Sequence, residues 1–110
     1  MPMRKTPKLR LPDEIATLVR GMHPDLKRKV KGSLQTILSE PCSGKFLKDE
    51  LEGLRSFRVS RFRIIYRISE KQMIEVVAIG PRERIYEETF RIISREGTSL
   101  VRQRESRGEN

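Results

Sequence analysis

The sequence contains no tryptophan and few other aromatic residues, which excludes a core built on large aromatic side chains. Aromatic residues make up 5% of the 110 residues, whereas Asp, Glu, Lys and Arg make up 35%. Soluble domains usually carry about a quarter charged residues. Because this length is too short for two ordinary domains, we predict one domain with an aliphatic core and a densely charged surface.

Cysteine, histidine and long apolar segments are equally scarce. The single cysteine, Cys42, excludes an intramolecular disulfide and a cysteine-based zinc site, which fits a reducing compartment. The single histidine, His23, precedes a proline at a predicted helix start, where we expect a capping role rather than a catalytic one. No apolar run approaches the ~20 residues needed to cross a bilayer. We therefore expect a cytoplasmic protein with no metal, no cofactor and no segment that crosses a membrane.

Acidic residues are too few to balance the basic ones. The chain has 24 Lys and Arg against 15 Asp and Glu, a formal net charge of +9. Such an excess favours nucleic acid, an anionic membrane surface or an acidic protein as the partner. The net charge alone does not choose among these three.

The N-terminal third has the apolar spacing of two consecutive helices. Pro12 and Asp13 mark the first helix start, and Pro24 and Pro41 bracket the second helix. The predicted apolar face of the first helix comprises Ile15, Leu18, Val19 and Met22. That of the second comprises Leu26, Val30, Leu34, Ile37 and Leu38. The spacing predicts a helical hairpin that packs on another apolar surface, and the basic residues at 27–31 indicate either a solvated face or a contact surface.

Residues 39–53 combine proline, glycine and mixed charges. This composition predicts an irregular connector between the helices and the strands that follow. We expect four apolar residues to anchor the connector and its end to the core: Phe46, Leu47, Leu51 and Leu54.

An arginine-rich hairpin is predicted over residues 57–68. The apolar positions change phase between Val59 and Phe62, which predicts a tight turn at Ser60 and Arg61. Folding the chain back there is expected to bring four arginines onto one face that points away from the core: Arg58, Arg61, Arg63 and Arg67. Adjacent guanidinium groups repel one another, and each fits phosphate oxygens well, so this face predicts an anion site.

A third strand is predicted at residues 73–79, which are apolar on both faces except for Glu75 and so suit the interior of a sheet. Gly80 and Pro81 are expected to end it, and Tyr86 to begin a helical segment. From residue 97 onward the sequence is polar with little periodicity. We predict a domain at residues 1–96 and a flexible polar tail at residues 97–110.

Arginines with a nearby tyrosine suit phosphate chemistry. RNA is cleaved without a metal when its 2′-hydroxyl attacks the adjacent phosphate, and arginines stabilise the charge that develops there. Neither an ordinary tyrosine nor an arginine is a ready base at neutral pH. The residues alone therefore leave open that the arginines only bind phosphates or a protein carboxylate, with Tyr86 packing at a helix start.

Two strings of this sequence carry a family resemblance. LKDELEGLRSFRVSRFRIIYRI and IEVVAIGPRERIYEE resemble the RelE/ParE toxin superfamily of bacterial toxin–antitoxin pairs, in which an arginine-rich hairpin precedes a strand ending in G-x-R and then a tyrosine. The resemblance implies an α+β fold. Its N-terminal helical hairpin packs on a small, mainly antiparallel sheet, with a short C-terminal helix.

For RelE-like members the resemblance implies cleavage of messenger RNA in the ribosomal A site. Carried over by motif, the implied catalytic residues are Arg58, Arg63, Arg82 and Tyr86. We further predict Arg61, Arg67, Arg84 and Lys45 as RNA-binding residues. A family lysine aligns with Ser60 here, so this chain departs from the pattern at that position.

Three functions follow from the resemblance. The first is a ribosome-dependent endoribonuclease toxin, neutralised by a cognate acidic antitoxin in a toxin–antitoxin hetero-oligomer. The second is a ParE-like inhibitor of DNA gyrase, which shares the fold and needs no RNA-cleaving site. The third is a non-catalytic module that only binds an antitoxin.

Overall fold

A five-stranded sheet lies between a helical hairpin and a long C-terminal helix. The computed structural model describes residues 8–69 and 72–105, and the side chains up to residue 96. The elements in chain order are β1 (Lys8–Arg10), α1 (Asp13–Arg20), α2 (Pro24–Ser39), β2 (Lys45–Phe46), β3 (Arg55–Val59), β4 (Phe62–Ile68), β5 (Met73–Pro81) and α3 (Arg82–Glu105). The predicted α+β class is confirmed.

The sheet is mainly antiparallel, with the strand order β1-β5-β4-β3-β2. Its only parallel pair in the described chain joins β1 to β5. β5 lies between two strands, and helices cover both faces of the sheet, which explains why its residues other than Glu75 are apolar on both faces. The predicted end of this strand was too early, because Gly80 and Pro81 still pair with Arg63 and Phe62 of β4.

The helical hairpin confirms most of its predicted apolar pattern. α2 buries Val30, Leu34 and Ile37 against the sheet, and the ring Nδ1 of His23 caps α2 by accepting a hydrogen bond from the Asp25 N–H at 3.1 Å. Leu18 is the exception, since 44% of it is exposed. Adjacent residues lie about 100° apart around a helix, so with Val19 turned to the core Leu18 falls at the margin of the stripe.

A second core lies on the other face of the sheet. Leu54, Ile65, Val77, Ala78 and Ile85 are buried together between the sheet and α3. Val77 and Ala78 both point to this side because a register irregularity interrupts the β4–β5 pairing after Ile65. The face predicted to be an arginine surface away from the core is therefore covered in part by α3.

The C-terminal helix α3 is longer than the short helix predicted. It spans Arg82–Glu105 and so enters the segment predicted to be a polar tail. The flexibility of that tail stays a prediction, and residues 106–110 lie outside the described chain. Among the described residues, no helix is sufficiently long and apolar to span a bilayer.

The connector is more regular than the sequence predicted. It contains strand β2 and two single 3₁₀ turns at Pro41–Ser43 and Asp49–Leu51. The predicted anchoring role of Phe46 was wrong: it lies in the edge strand, half exposed, with the Arg55 guanidinium 5.1 Å from its ring centroid. Leu47, Leu51 and Leu54 do pack against the second core.

Tyr66 holds the connector to the sheet from inside the core. Its fully buried hydroxyl donates to the Pro41 carbonyl oxygen at 2.6 Å and accepts from the Gly44 N–H at 2.9 Å. Burial raises the pKa of the Tyr66 phenol. A Cβ atom added at Gly44 would lie 2.6 Å from the Tyr66 Oη, so only glycine fits there.

Two glycine substitutions test this contact. We expect Gly44→Ala to lower the free energy of unfolding by about 1–3 kcal/mol, because the methyl group displaces Tyr66 from its two buried hydrogen bonds. Gly32→Ala is the matched control: it lies in α2 with nothing within 4 Å of the added Cβ, and should stabilise by about 0.5–1 kcal/mol. Urea denaturation measures both, and equal effects would contradict the contact.

The buried phenol also predicts a pH dependence. The folded state holds the Tyr66 proton more tightly than the unfolded chain does, whose phenol titrates near 10.0. The stability from this group is therefore complete below pH ~10 and is lost as the pH rises above it. We expect Tyr66→Phe to be less stable at neutral pH and to show a shallower loss above pH ~10, as measured by denaturation between pH 8 and 11.

Candidate nucleic-acid interface

The predicted hairpin turn is confirmed at Ser60 and Arg61. Val59 pairs with Phe62, which leaves two residues to reverse the chain. Ser60 adopts a φ of 59°, the left-handed conformation that the first position of such tight turns can require. Ser60 thus lies in the turn rather than on a strand. The serine that stands where the family has a lysine therefore does not alter either face of the hairpin.

Two arginines face each other across this hairpin. Arg58 of β3 pairs directly with Arg63 of β4. Side chains of such a pair share a face, with their Cβ atoms about 4.5–5.5 Å apart. On its other side Arg63 pairs with Gly80, above which the Ile85 and Glu88 side chains of α3 come close. The two guanidinium groups therefore lie on the face that carries α3.

The start of α3 brings further basic groups to the same end of the sheet. The Arg82 N–H donates to the Arg61 carbonyl oxygen at 2.9 Å, which fixes the helix start beside the hairpin turn. We call Arg58, Arg61, Arg63 and Arg82 the basic cluster. Within the described chain, no side chain of this cluster has an ion-pair or hydrogen-bond partner. The cluster is therefore a concentration of positive charge that forms no direct ion pair, although the Glu88 carboxylate lies close above Gly80, the strand partner of Arg63.

Tyr86 lies one helical turn after Arg82 and on the same flank of α3. Its ring packs against the second core, and its Oη lies 3.2 Å from the Oγ of Ser56 in β3. Ser56 is two residues from Arg58 and so shares its face of the sheet. The structure thereby joins Tyr86 to the strand that carries Arg58.

Lys45 reaches this face from the connector. It pairs with Ser56 across β2 and β3, which places both side chains on the α3 side of the sheet. Lys45 is exposed. The sequence analysis assigned Lys45 to an irregular segment and did not identify Ser56. The only indication of Ser56 in the sequence was that a polar residue stands two positions before Arg58.

Arg67 and Arg84 lie apart from the basic cluster. Arg67 is four residues from Arg63, about 13 Å along the strand. It forms ion pairs with Glu75 at 2.8 Å and Glu96 at 3.4 Å. Arg84 is exposed and, by helical spacing, lies on the flank of α3 opposite Tyr86. Of the eight predicted site residues, these two are the ones the structure does not bring together with the others.

Beside Tyr86 an open groove separates α3 from the connector. It is lined by Glu50, Leu51, Tyr86, Glu87 and Phe90. Phe90 is 46% exposed, so the groove presents an apolar aromatic surface with carboxylates at its rim. The described residues contain no group of three or more His, Cys, Asp or Glu that could hold a metal ion.

The segment that contains this interface matches a known family. A model described as the ParE toxin of the type II toxin–antitoxin system parDE matches residues 10–86. The chain belongs to this ParE toxin family. The resemblance to the RelE/ParE superfamily drawn from the hairpin and G-x-R motifs is thereby confirmed. No curated protein shows a matching sequence.

Three solved structures share the fold of this ParE-family chain. A chain of the toxin–antitoxin complex RelBE2 from Mycobacterium tuberculosis is 22% identical with a TM-score of 0.62, covering 71% of this chain and 100% of that chain. A chain of the RelE–RelB complex from Pyrococcus horikoshii is 18% identical with a TM-score of 0.61, covering 73% and 99%. A double arginine-to-alanine variant of the Escherichia coli toxin RelE is 18% identical with a TM-score of 0.66, covering 83% and 98%. These likenesses confirm the RelE-like architecture.

The Arg58–Arg63 pair predicts opposite effects on stability and RNA binding. Arg58→Gln relieves repulsion between facing like charges, so we expect the free energy of unfolding to rise by about 0.2–1 kcal/mol. Loss of one phosphate contact should weaken binding to a single-stranded RNA and reduce the slope of log K against log salt by about 0.7.

Urea denaturation and fluorescence anisotropy measure these two effects. Lys29→Gln is the matched control, since it removes the same charge from the exposed side of α2, in the layer across the sheet. Equal weakening of RNA binding by both variants would mean that binding follows net charge rather than the basic cluster.

Proposed function

We propose that this ParE-family toxin is a ribosome-dependent endoribonuclease that cleaves messenger RNA in the A site. The observation that carries the proposal is the basic cluster, whose side chains lack partners in the described chain, with Tyr86 one helical turn from Arg82. An anion is the missing partner of such a cluster. A phosphodiester is the anion whose oxygens match several guanidinium forks at once.

The geometry suits stabilisation of a phosphorane. Arg58 and Arg63 are fixed by facing positions on two paired strands, and Arg82 is fixed by the backbone bond to the hairpin turn. These fixed backbone positions bring the guanidinium groups to one end of the sheet, where they can together stabilise the dianionic charge that develops in the transition state. The attacking group is the 2′-hydroxyl of the RNA itself, so the protein has to orient the phosphate, stabilise the charge and move protons.

A cognate acidic antitoxin is the proposed regulatory partner. Two of the structurally similar proteins are toxin–antitoxin or RelE–RelB complexes. A net charge of +9 and an unpartnered basic cluster favour an acidic segment that covers the site, in a toxin–antitoxin hetero-oligomer. Action on ribosomes implies a cytoplasmic location.

Inhibition of DNA gyrase is the second candidate function. The match to a ParE toxin model favours it, since the matched residues 10–86 include the whole basic cluster. Gyrase inhibition requires a protein-binding surface and has no need of the Tyr86 hydroxyl. The third possibility, a module that only binds an antitoxin, requires neither a toxic surface nor the hydroxyl.

Induced expression in a bacterial host separates the three functions. Primer extension on a reporter messenger RNA should show new 5′ ends that depend on translation. We expect Tyr86→Phe and Arg82→Ala to reduce their yield at least ~100-fold, because each removes a group that acts on the reacting phosphate. Lys29→Gln, on the exposed side of α2, should retain full activity.

Other results of the same expression experiment would support a different function or contradict the proposed site. Growth arrest with intact messenger RNA and induction of a DNA-damage response would support gyrase as the target. Normal growth would support the binding module. Full cleavage by both site variants would contradict the assignment of Tyr86 and Arg82 to the site, while the ribonuclease function would stand.

A further inference from the structure

We propose that Ser56 is a positioning residue that turns the Tyr86 hydroxyl proton toward the substrate, so that Tyr86 is the proton donor to the leaving 5′-oxygen. This inference rests on the proposed ribonuclease function and assigns the proton transfer that the arginines do not perform. The juxtaposition that carries it is the 3.2 Å contact between the Ser56 Oγ and the Tyr86 Oη.

The direction of this hydrogen bond follows from burial. Only 2% of Ser56 is exposed. Within the described chain, the Ser56 hydroxyl has one hydrogen-bond partner, the Tyr86 hydroxyl. A serine hydroxyl has a single proton, and leaving a buried donor unpaired costs about 1–3 kcal/mol. Tyr86 is only partly buried, so its own proton can reach solvent or substrate. The favourable arrangement has Ser56 donating to the phenol oxygen, which leaves the phenol proton free to point outward.

The surrounding charges suit a phenol that loses its proton during the reaction. Lys45 lies across the strand pair from Ser56, and Arg58 lies two residues along β3. Arg82 precedes Tyr86 by one turn of α3. The carboxylates of Glu50 and Glu87 line the groove beyond the ring, Glu83 shares the first turn of α3, and the Glu88 carboxylate lies close above Gly80. The cations from β2, β3 and α3 are thus placed to stabilise the phenolate oxygen together with the Ser56 hydrogen bond.

Tyr86 acts in the step that breaks the RNA chain. The 2′-oxygen attacks phosphorus and releases its proton to solvent water, and the bond from phosphorus to the 5′-oxygen breaks. The Tyr86 phenol gives its proton to that 5′-oxygen, which leaves as a hydroxyl group. Ser56 continues to donate to the resulting phenolate, which then recovers a proton from water. The products are a 2′,3′-cyclic phosphate and a free 5′-hydroxyl end.

A sulfur-substituted messenger RNA tests this step. Once primer extension has mapped the cleaved linkage, sulfur can replace its 5′-bridging oxygen, and a thiolate leaves without needing a proton. With programmed ribosomes, we expect Ser56→Ala to slow cleavage of the natural RNA by 10- to 100-fold and Tyr86→Phe by more. Both variants should come within a few-fold of wild type on the sulfur RNA, whereas Arg82→Ala should remain slow on both.

Two further measurements distinguish positioning from a structural effect. The Ser56→Ala/Tyr86→Phe double variant should be no slower than Tyr86→Phe alone, because Ser56 acts only through the phenol. Ser56→Cys, which keeps the size with a weaker donor, should be intermediate. RNA affinity should stay within two-fold of wild type in all of them.

The contact itself is measurable without any activity. The chain has two tyrosines, so labelling the phenol carbon with ¹³C gives two resonances, assigned with Tyr66→Phe. We expect Ser56→Ala to shift the Tyr86 resonance and leave that of Tyr66 in place. An unshifted Tyr86 resonance would overturn the inference.

The role of Ser56 and the ribonuclease function can fail independently in these assays. If wild type cleaves the natural RNA and Ser56→Ala does so at the same rate, the inference about Ser56 is overturned and the ribonuclease function stands. If the Tyr86→Phe defect persists on the sulfur RNA, Tyr86 is not the proton donor. A wild type that leaves both RNAs intact overturns the ribonuclease function and the inference with it.

Discussion

Apolar packing on both faces of the sheet holds two like charges opposite each other, and the candidate site follows from that arrangement. Arg58 and Arg63 occupy one cross-strand pair, and like charges in that arrangement destabilise a sheet. The strands remain paired because both faces of the sheet are packed. Val59 and Ile64, adjacent to the two arginines, are buried under the helical hairpin, and Ile65 is buried under α3. Apolar burial on both sides thus holds in place a charge arrangement that is unfavourable until an anion binds.

Charge compensation divides the α3 face into two ends. At one end Glu75 bridges Arg10 and Arg67, and Glu96 of α3 joins Arg67. At the other end the basic cluster has no carboxylate partner in the described chain. Exposed ion pairs contribute only about 0–1 kcal/mol each. The position of α3, and with it Tyr86, is therefore set mainly by burial of Ile85 and its neighbours, and the ion pairs make the distant end less attractive to an anion.

The two tyrosines show how the same side chain serves packing and chemistry. Tyr66 is fully buried, and its hydroxyl forms hydrogen bonds with two backbone groups of the connector. Tyr86 is partly buried, and within the described chain its hydroxyl forms one hydrogen bond, to Ser56, which leaves one side of the hydroxyl open. By holding the segment just before β2, Tyr66 also helps to place Lys45 opposite Ser56. The structural tyrosine therefore supports the site from the opposite face of the sheet.

Features that depend on local period and charge could be predicted from the amino-acid sequence. The 3.6-residue spacing identified the hairpin helices, and the phase change after Val59 located the turn at Ser60. The motifs around Arg63, Arg82 and Tyr86 indicated the family. These features are readable because each is encoded within one element or two adjacent ones.

Contacts between residues that are distant in the chain could not be predicted, because they depend on how the elements pack. Residues 45, 56 and 86 come from three elements, and no periodicity within one element reports a contact among them. For the same reason the sequence placed Phe46 in the core and grouped Arg67 with the anion site. A period of two assigns a residue to a face, but only packing decides whether that face is covered by α3, paired with a carboxylate or left open to a ligand.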